Sequence, residues 1–86
     1  RRRIDLVDEK ILNLLAEREK IAEGIAEVKS RKNIGVFDRT REEKVISNRQ
    51  FLADQLGLSK DFVKSFMCLL MDHSKKVQAT HVLNRS

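Results

Sequence analysis

"ILNLLAEREKIAEGIAEVK", residues 11–29, reads as one helix with an apolar seam, and Arg18 falls on that seam. Steps of three and four from Ile4 give Ile4, Val7, Ile11, Leu14, Arg18, Ile21, Ile25 and Val28, an a/d heptad series in which Arg18 alone is polar. A flanking column holds Arg1, Asp8, Leu15, Ala22 and Lys29, so Lys29 also stands beside the stripe. It lies on nearly the same bearing as Arg18, roughly 16 Å further along the axis. Two long cations leaning toward each other across that span would frame a space the size of a small dianion. The simpler alternatives are that Glu17, Asp8 or a carboxylate of a second chain pairs with Arg18, or that Arg18 only fixes helix register.

Composition limits what such a space can belong to. The chain has 86 residues, 41% of them apolar and 36% charged, with no proline, which predicts a single all-helical domain spanning residues 1–86. One cysteine, Cys68, excludes an internal disulfide. No apolar run has membrane-spanning length or a signal-peptide layout, so a reducing cytoplasm is the expected setting. Of the formal net charge of +5, three charges sit on Arg1, Arg2 and Arg3. The rest of the chain is too nearly neutral to argue for a polyanionic partner.

Three helices are expected. The first runs over about residues 3 to 31 and ends at the polar stretch "SRKNIG". The second begins near "FDRTREEKV", where Asp38 or Thr40 can cap the free amides and Thr40 with Glu43 has capping-box spacing. Its apolar face uses Val45, Ile46, Leu52, Ala53 and Leu56, and it stops at Gly57. Ser59 caps the third, whose buried face includes Phe62, Val63, Phe66, Met67 and Leu70 and then continues to Ser74 and Gln78. Two shorter helices cannot cover a seam of about 40 Å on all sides, so a second copy of the chain is the expected cover. Glu42, three residues before Val45 and four before Ile46, points coreward at the start of the second helix, with Arg41 and Asp38 beside it. Arg18, Lys29, Arg41, Glu42, Ser74 and Gln78 are thus polar groups on or next to three apolar faces, placed to converge on one pocket.

These residues carry a family resemblance. Arg1, Ile4, Asp5 and Asp8, then "LLAER" ending at Arg18, Lys29, "DRTRE" with Asp38, Arg41 and Glu42, and the Ser74–Gln78 pair together resemble the all-helical class of chorismate mutase. The pattern is most similar to the mutase domain at the front of bacterial bifunctional chorismate mutase/prephenate dehydratase proteins, and it covers nearly the whole chain. The resemblance implies an intertwined six-helix homodimer, three helices from each chain, that isomerises chorismate to prephenate in phenylalanine and tyrosine biosynthesis. It implies that Arg18 and the partner's Arg1 hold carboxylates with Ser74 assisting, and that Lys29 contacts a carboxylate and the ether oxygen. Gln78 would donate to the same oxygen, Glu42 and the Asp38 backbone would take the ring hydroxyl, and Arg41 would support Glu42. Lys75 stands where the resemblance leads one to expect an apolar residue.

The implied reaction is a [3,3] Claisen rearrangement, which needs no nucleophile, cofactor or metal, and the sequence has no cluster with metal-ligand spacing. His73 and His81 are then surface residues and Cys68 a packed helix residue. Two other readings compete. "FLADQLGLSKDFVKSF" (residues 51–66) has helix-turn-helix spacing at Ala53, Gly57, Val63 and Phe66, but its second helix continues as "FMCLLM", too apolar for a DNA groove. A structural dimerisation bundle without activity would share the same seam.

Overall fold

The computed structural model describes residues 1–31 and 38–85, with side chains over 1–28 and 38–80. It contains three helices, α1 (Arg2–Arg31), α2 (Arg39–Gln55) and α3 (Lys60–Arg85), and no strand among the described residues. The break expected around Gly35 lies outside them.

The helix ends follow local chemistry. Asp38, extended at φ −140° and ψ 100°, caps α2 by accepting the Arg41 N–H at 3.0 Å, so Asp38 rather than Thr40 is the cap. At the other end Gly57 adopts φ +72°. The Leu58 N–H reaches the Ala53 carbonyl at 2.8 Å and the Gly57 N–H reaches Asp54 at 3.2 Å, the paired bonds of a Schellman stop. Two residues later Ser59 Oγ accepts the Phe62 N–H at 3.2 Å and opens α3. The stop and the cap together turn the chain back on itself. Glu42 meets Lys75 at one end of the α2–α3 pair, and Asp54 meets Lys60 at the other. That is an antiparallel hairpin joined along its length, not the steeply crossed pair a helix-turn-helix requires.

α3 also carries α1, whereas the α1 and α2 backbones stay more than 8 Å apart, Cα to Cα, among the described residues. Leu15, Arg18, Ala22 and Ala26 form the row of α1 that turns toward α3. Ala22 and Ala26 are buried, and their small side chains let the two helices approach closely.

The apolar seam is not buried within the chain. Every residue from 1 to 14 is exposed, and so are Ile21, Ile25 and Val28. Leu52, Leu56, Phe62 and Phe66, expected as core, are exposed too, with Phe62 and Phe66 stacked at 6.2 Å between ring centroids. The buried apolar residues are Ala22, Ala26, Ala53 and Met67, and no large side chain is fully buried among the described residues. The physical reason is geometric: three helices sharing only the faces of α3 leave the opposite stripes without a neighbour. The accessible surface is 7179 Å². A compact monomer of this mass exposes about 5,200 Å².

Two glycines test this description. Gly24, in mid-α1, has nothing within 4 Å of an added Cβ, so Gly24→Ala should stabilise by about 0.5–1 kcal/mol. Gly57→Ala places a side chain on a left-handed residue and should destabilise by about 1 kcal/mol. Thermal melts should therefore move in opposite directions, and two shifts of the same sign would contradict the helix ends as described.

Candidate functional site

A cavity of about 270 Å³ opens where the three helices come nearest one another. α1 contributes Arg18, Ile21, Ala22 and Ile25, the start of α2 contributes Asp38, Arg41 and Glu42, and α3 contributes Met71, Ser74, Lys75 and Gln78. The α3 residues follow the i, i+3, i+4, i+7 rule, which stacks them on one helical face.

Arg18 is half-buried, and its guanidinium donates to Ser74 Oγ and, at 3.4 Å, to the Leu70 carbonyl oxygen. Neither Glu17 nor Asp8 pairs with it, and none of its partners is a carboxylate among the described residues. Burial lowers its pKa from the ordinary arginine value, and the like charge of Arg49 on α2 lowers it further. An arginine stays protonated regardless, so the direction of the shift marks a cation short of negative charge.

One turn along α3 from Ser74, Gln78 is buried at 7% exposure, and its Oε1 has no hydrogen-bond partner among the described residues. A buried amide oxygen left so costs about 1–3 kcal/mol. Turning the amide about its last bond exchanges the oxygen for the NH₂ end, so either an acceptor or a donor can face the cavity.

At the α2 wall the Glu42 carboxylate is held by Lys75, whose Nζ lies 2.9 Å from Oε1 and 3.4 Å from Oε2. Arg41, expected to support Glu42, is exposed and lines the cavity without contacting that carboxylate among the described residues. The hydrogen bond that Lys75 donates to Glu42 raises the Lys75 pKa above its ordinary value, so Lys75 is a cation at any working pH. Asp38 lines the cavity while its Oδ1 is engaged by the Arg41 N–H.

The structure therefore gathers Arg18, Asp38, Arg41, Glu42, Ser74 and Gln78 around one space. Arg1 is exposed at the far end of α1 and does not line it. The Lys29 side chain lies outside the described residues, as does that of His81. His73 is on the surface, in contact with the Glu19 carboxylate. Two residues gain roles that their types alone did not suggest. Lys75 shares the helical face of Ser74 and Gln78, and Arg49 follows Val45 by four residues and Ile46 by three. Both spacings were readable in the sequence, but their partners were not, because those partners sit on another helix.

Such a cavity can take a small anion at the Arg18 side and a hydrogen-bond donor at Glu42, with Gln78 also in its wall. No group of His, Cys, Asp and Glu able to hold a metal ion occurs among the described residues.

Comparison with known proteins agrees with this chemistry. Residues 1–79 match the family described as chorismate mutase type II. The chain is 29% identical over 82 residues to a chorismate mutase of Methanocaldococcus jannaschii, covering 95% of this chain and 83% of that protein. It is 30% identical over 78 residues to a bifunctional chorismate mutase/prephenate dehydratase of Buchnera aphidicola subsp. Baizongia pistaciae, covering 91% of this chain and 21% of that protein. Against a T-protein of Enterobacter agglomerans it is 32% identical over 74 residues, covering 86% of this chain and 20% of that protein. The chain thus spans most of the first relative and about a fifth of the other two. A match over nearly the full sequence, on a three-helix fold with a cation-lined cavity, places the chain in the chorismate mutase type II family.

Proposed function

We propose that the chain converts chorismate to prephenate, and that it does so as a homodimer. The observation that carries this reading is that Arg18 and Gln78 line one cavity. One is a half-buried cation with no carboxylate partner among the described residues, the other a buried side chain whose Oε1 has no hydrogen-bond partner among them. Chorismate offers two carboxylates, a ring hydroxyl and an enolpyruvyl ether oxygen, one feature for each kind of group in the cavity wall.

In the proposed complex Arg18, with Ser74, receives a carboxylate through charge-assisted hydrogen bonds. Glu42 and the Asp38 backbone hold the ring hydroxyl, with Glu42 accepting its hydrogen bond, and Arg41 lies at the mouth. Gln78 turns its NH₂ end to the ether oxygen, and Lys29 supplies a cation to that oxygen and to a carboxylate. The carbon–oxygen bond breaks as the new carbon–carbon bond forms, so no proton has to move. The wall lowers the barrier in two ways: it holds the compact conformer, and it stabilises negative charge growing on the ether oxygen. A place in phenylalanine and tyrosine biosynthesis, in the cytoplasm, fits this reaction. No helix among the described residues is long and apolar enough to cross a membrane.

The dimer is supported by what a single chain leaves uncovered. The α1 arm exposes Ile4, Val7, Ile11 and Leu14, and a second hollow of about 320 Å³ runs beside Arg18 between Leu15, Leu69 and Leu70. An intertwined pair of chains would lay the arm of one along such surfaces of the other. Arg1 and Arg18 are about 25 Å apart along α1, so Arg1 of the partner subunit is the one able to reach this cavity.

The direct test is loss of chorismate absorbance with purified protein, and no acceleration over the uncatalysed rate would refute the assignment. In the same assay Lys29→Ala should cost about 3 kcal/mol in the barrier, a hundredfold or more in rate, with helicity unchanged. Gln78→Glu makes a different demand. Glutamate donates a hydrogen bond only when protonated, so the variant should work best in acid and fail near neutrality. A pH profile equal to the parent's would remove Gln78 from the breaking bond.

A further inference from the structure

Lys75 is the charged lining residue that the proposed reaction does not use. It stands on α3 one residue after Ser74 and three before Gln78, so it shares their face. Its ammonium spans from the cavity wall to the solvent side: it lies 2.9 Å from Glu42 Oε1 inside and 3.5 Å from Asp72 Oδ1 outside. The Lys75 and Glu42 side chains are 32% and 22% exposed, while Asp72 is 67% exposed, so the Glu42 contact is the more sheltered of the two.

We propose that Lys75 is a positioning residue that fixes the Glu42 carboxylate along the cavity wall so that it can receive the ring hydroxyl of the ligand. This rests on the reaction proposed above. Three observations carry it. Lys75 is the partner holding that carboxylate among the described residues, where Arg41 had been expected. The unequal distances leave Oε2, at 3.4 Å, the freer acceptor. Asp72, one turn before Lys75 on the same helix, holds the ammonium from the other side and limits its swing toward a bound anion. A carboxylate set in advance loses less side-chain freedom when a ligand arrives, which favours binding. The competing role for a cation at this place is direct attraction of a dianionic ligand. That role would not depend on Glu42.

A double-mutant cycle separates the two roles. Parent, Lys75→Met, Glu42→Gln and the double variant are checked for equal helicity, and KM and kcat for chorismate are then measured. Methionine keeps the straight stem of lysine without its charge. Lys75→Met should raise KM about tenfold and change kcat less than about threefold, the pattern of lost ground-state positioning. The double variant should be no worse than Glu42→Gln alone, because Lys75 acts through Glu42. Lys75→Arg, which retains a donor to the carboxylate, should stay within about threefold of the parent KM. A parent without turnover would overturn the proposed reaction and this role together. An active parent overturns this role alone under any of three results: an unchanged KM in Lys75→Met, single effects that multiply in the double variant, or a Lys75→Arg as impaired as Lys75→Met.

Discussion

The structure depends on one charge held in a half-buried place without a counter-charge among the described residues. Arg18 interrupts an otherwise apolar series on α1, and its guanidinium rests on Ser74 and the Leu70 carbonyl rather than on an acid. Taking a cation out of water costs several kcal/mol unless something repays it. Neutral oxygen atoms repay part of that, and the like charge of Arg49 works against it. A cation placed so is destabilising in the empty protein and favourable to any anion that enters. The fold keeps the arginine there because α3 closes against Ala22 and Ala26, one and two turns away, leaving its side chain to line the cavity.

Much of this was legible in the sequence, and the reasons differ by element. Gly57 and Ser59 determine where α2 ends and α3 begins, since both act within a few residues of themselves. Asp38 and Thr40 could not be told apart as caps, because both have the right chemistry and only the backbone angles decide. The exposed seam marks the limit of periodicity. Heptad spacing says which residues share a face, but not whether that face meets a helix of the same chain. Leu52, Leu56, Phe62 and Phe66 were expected as core for the same reason and lie exposed in the single chain. In the cavity, Ser74 and Gln78 were visible as polar interruptions of an apolar stripe. The Lys75–Glu42 contact was not, because a charged residue on a helix ordinarily points to water, and nothing local reveals a partner 33 positions away.

The chemistry proposed for the cavity explains an otherwise odd inventory. Its charged groups are three cations and two carboxylates, Glu42 paired with Lys75 and Asp38 capping α2, and the histidine described nearby is on the surface against Glu19. An enzyme that moved protons would need a group poised to titrate near neutrality. A pericyclic rearrangement needs instead a rigid wall of donors and cations arranged before the substrate arrives, because charge develops at one oxygen and disappears again without leaving the molecule. Gln78 Oε1 without a partner and Arg18 without a carboxylate, among the described residues, are features of such a wall.

The central claim is that this wall is completed by a second copy of the chain, and complementation between inactive variants tests it most directly. Arg1→Ala and Arg18→Ala, each nearly inactive alone, are unfolded together and reassembled. About half the dimers should then be mixed, and each mixed dimer should have one pocket with both arginines and one with neither, so about a quarter of all sites should recover activity. Co-refolded protein that is verified to contain mixed dimers yet stays as inactive as its parents would contradict the shared site.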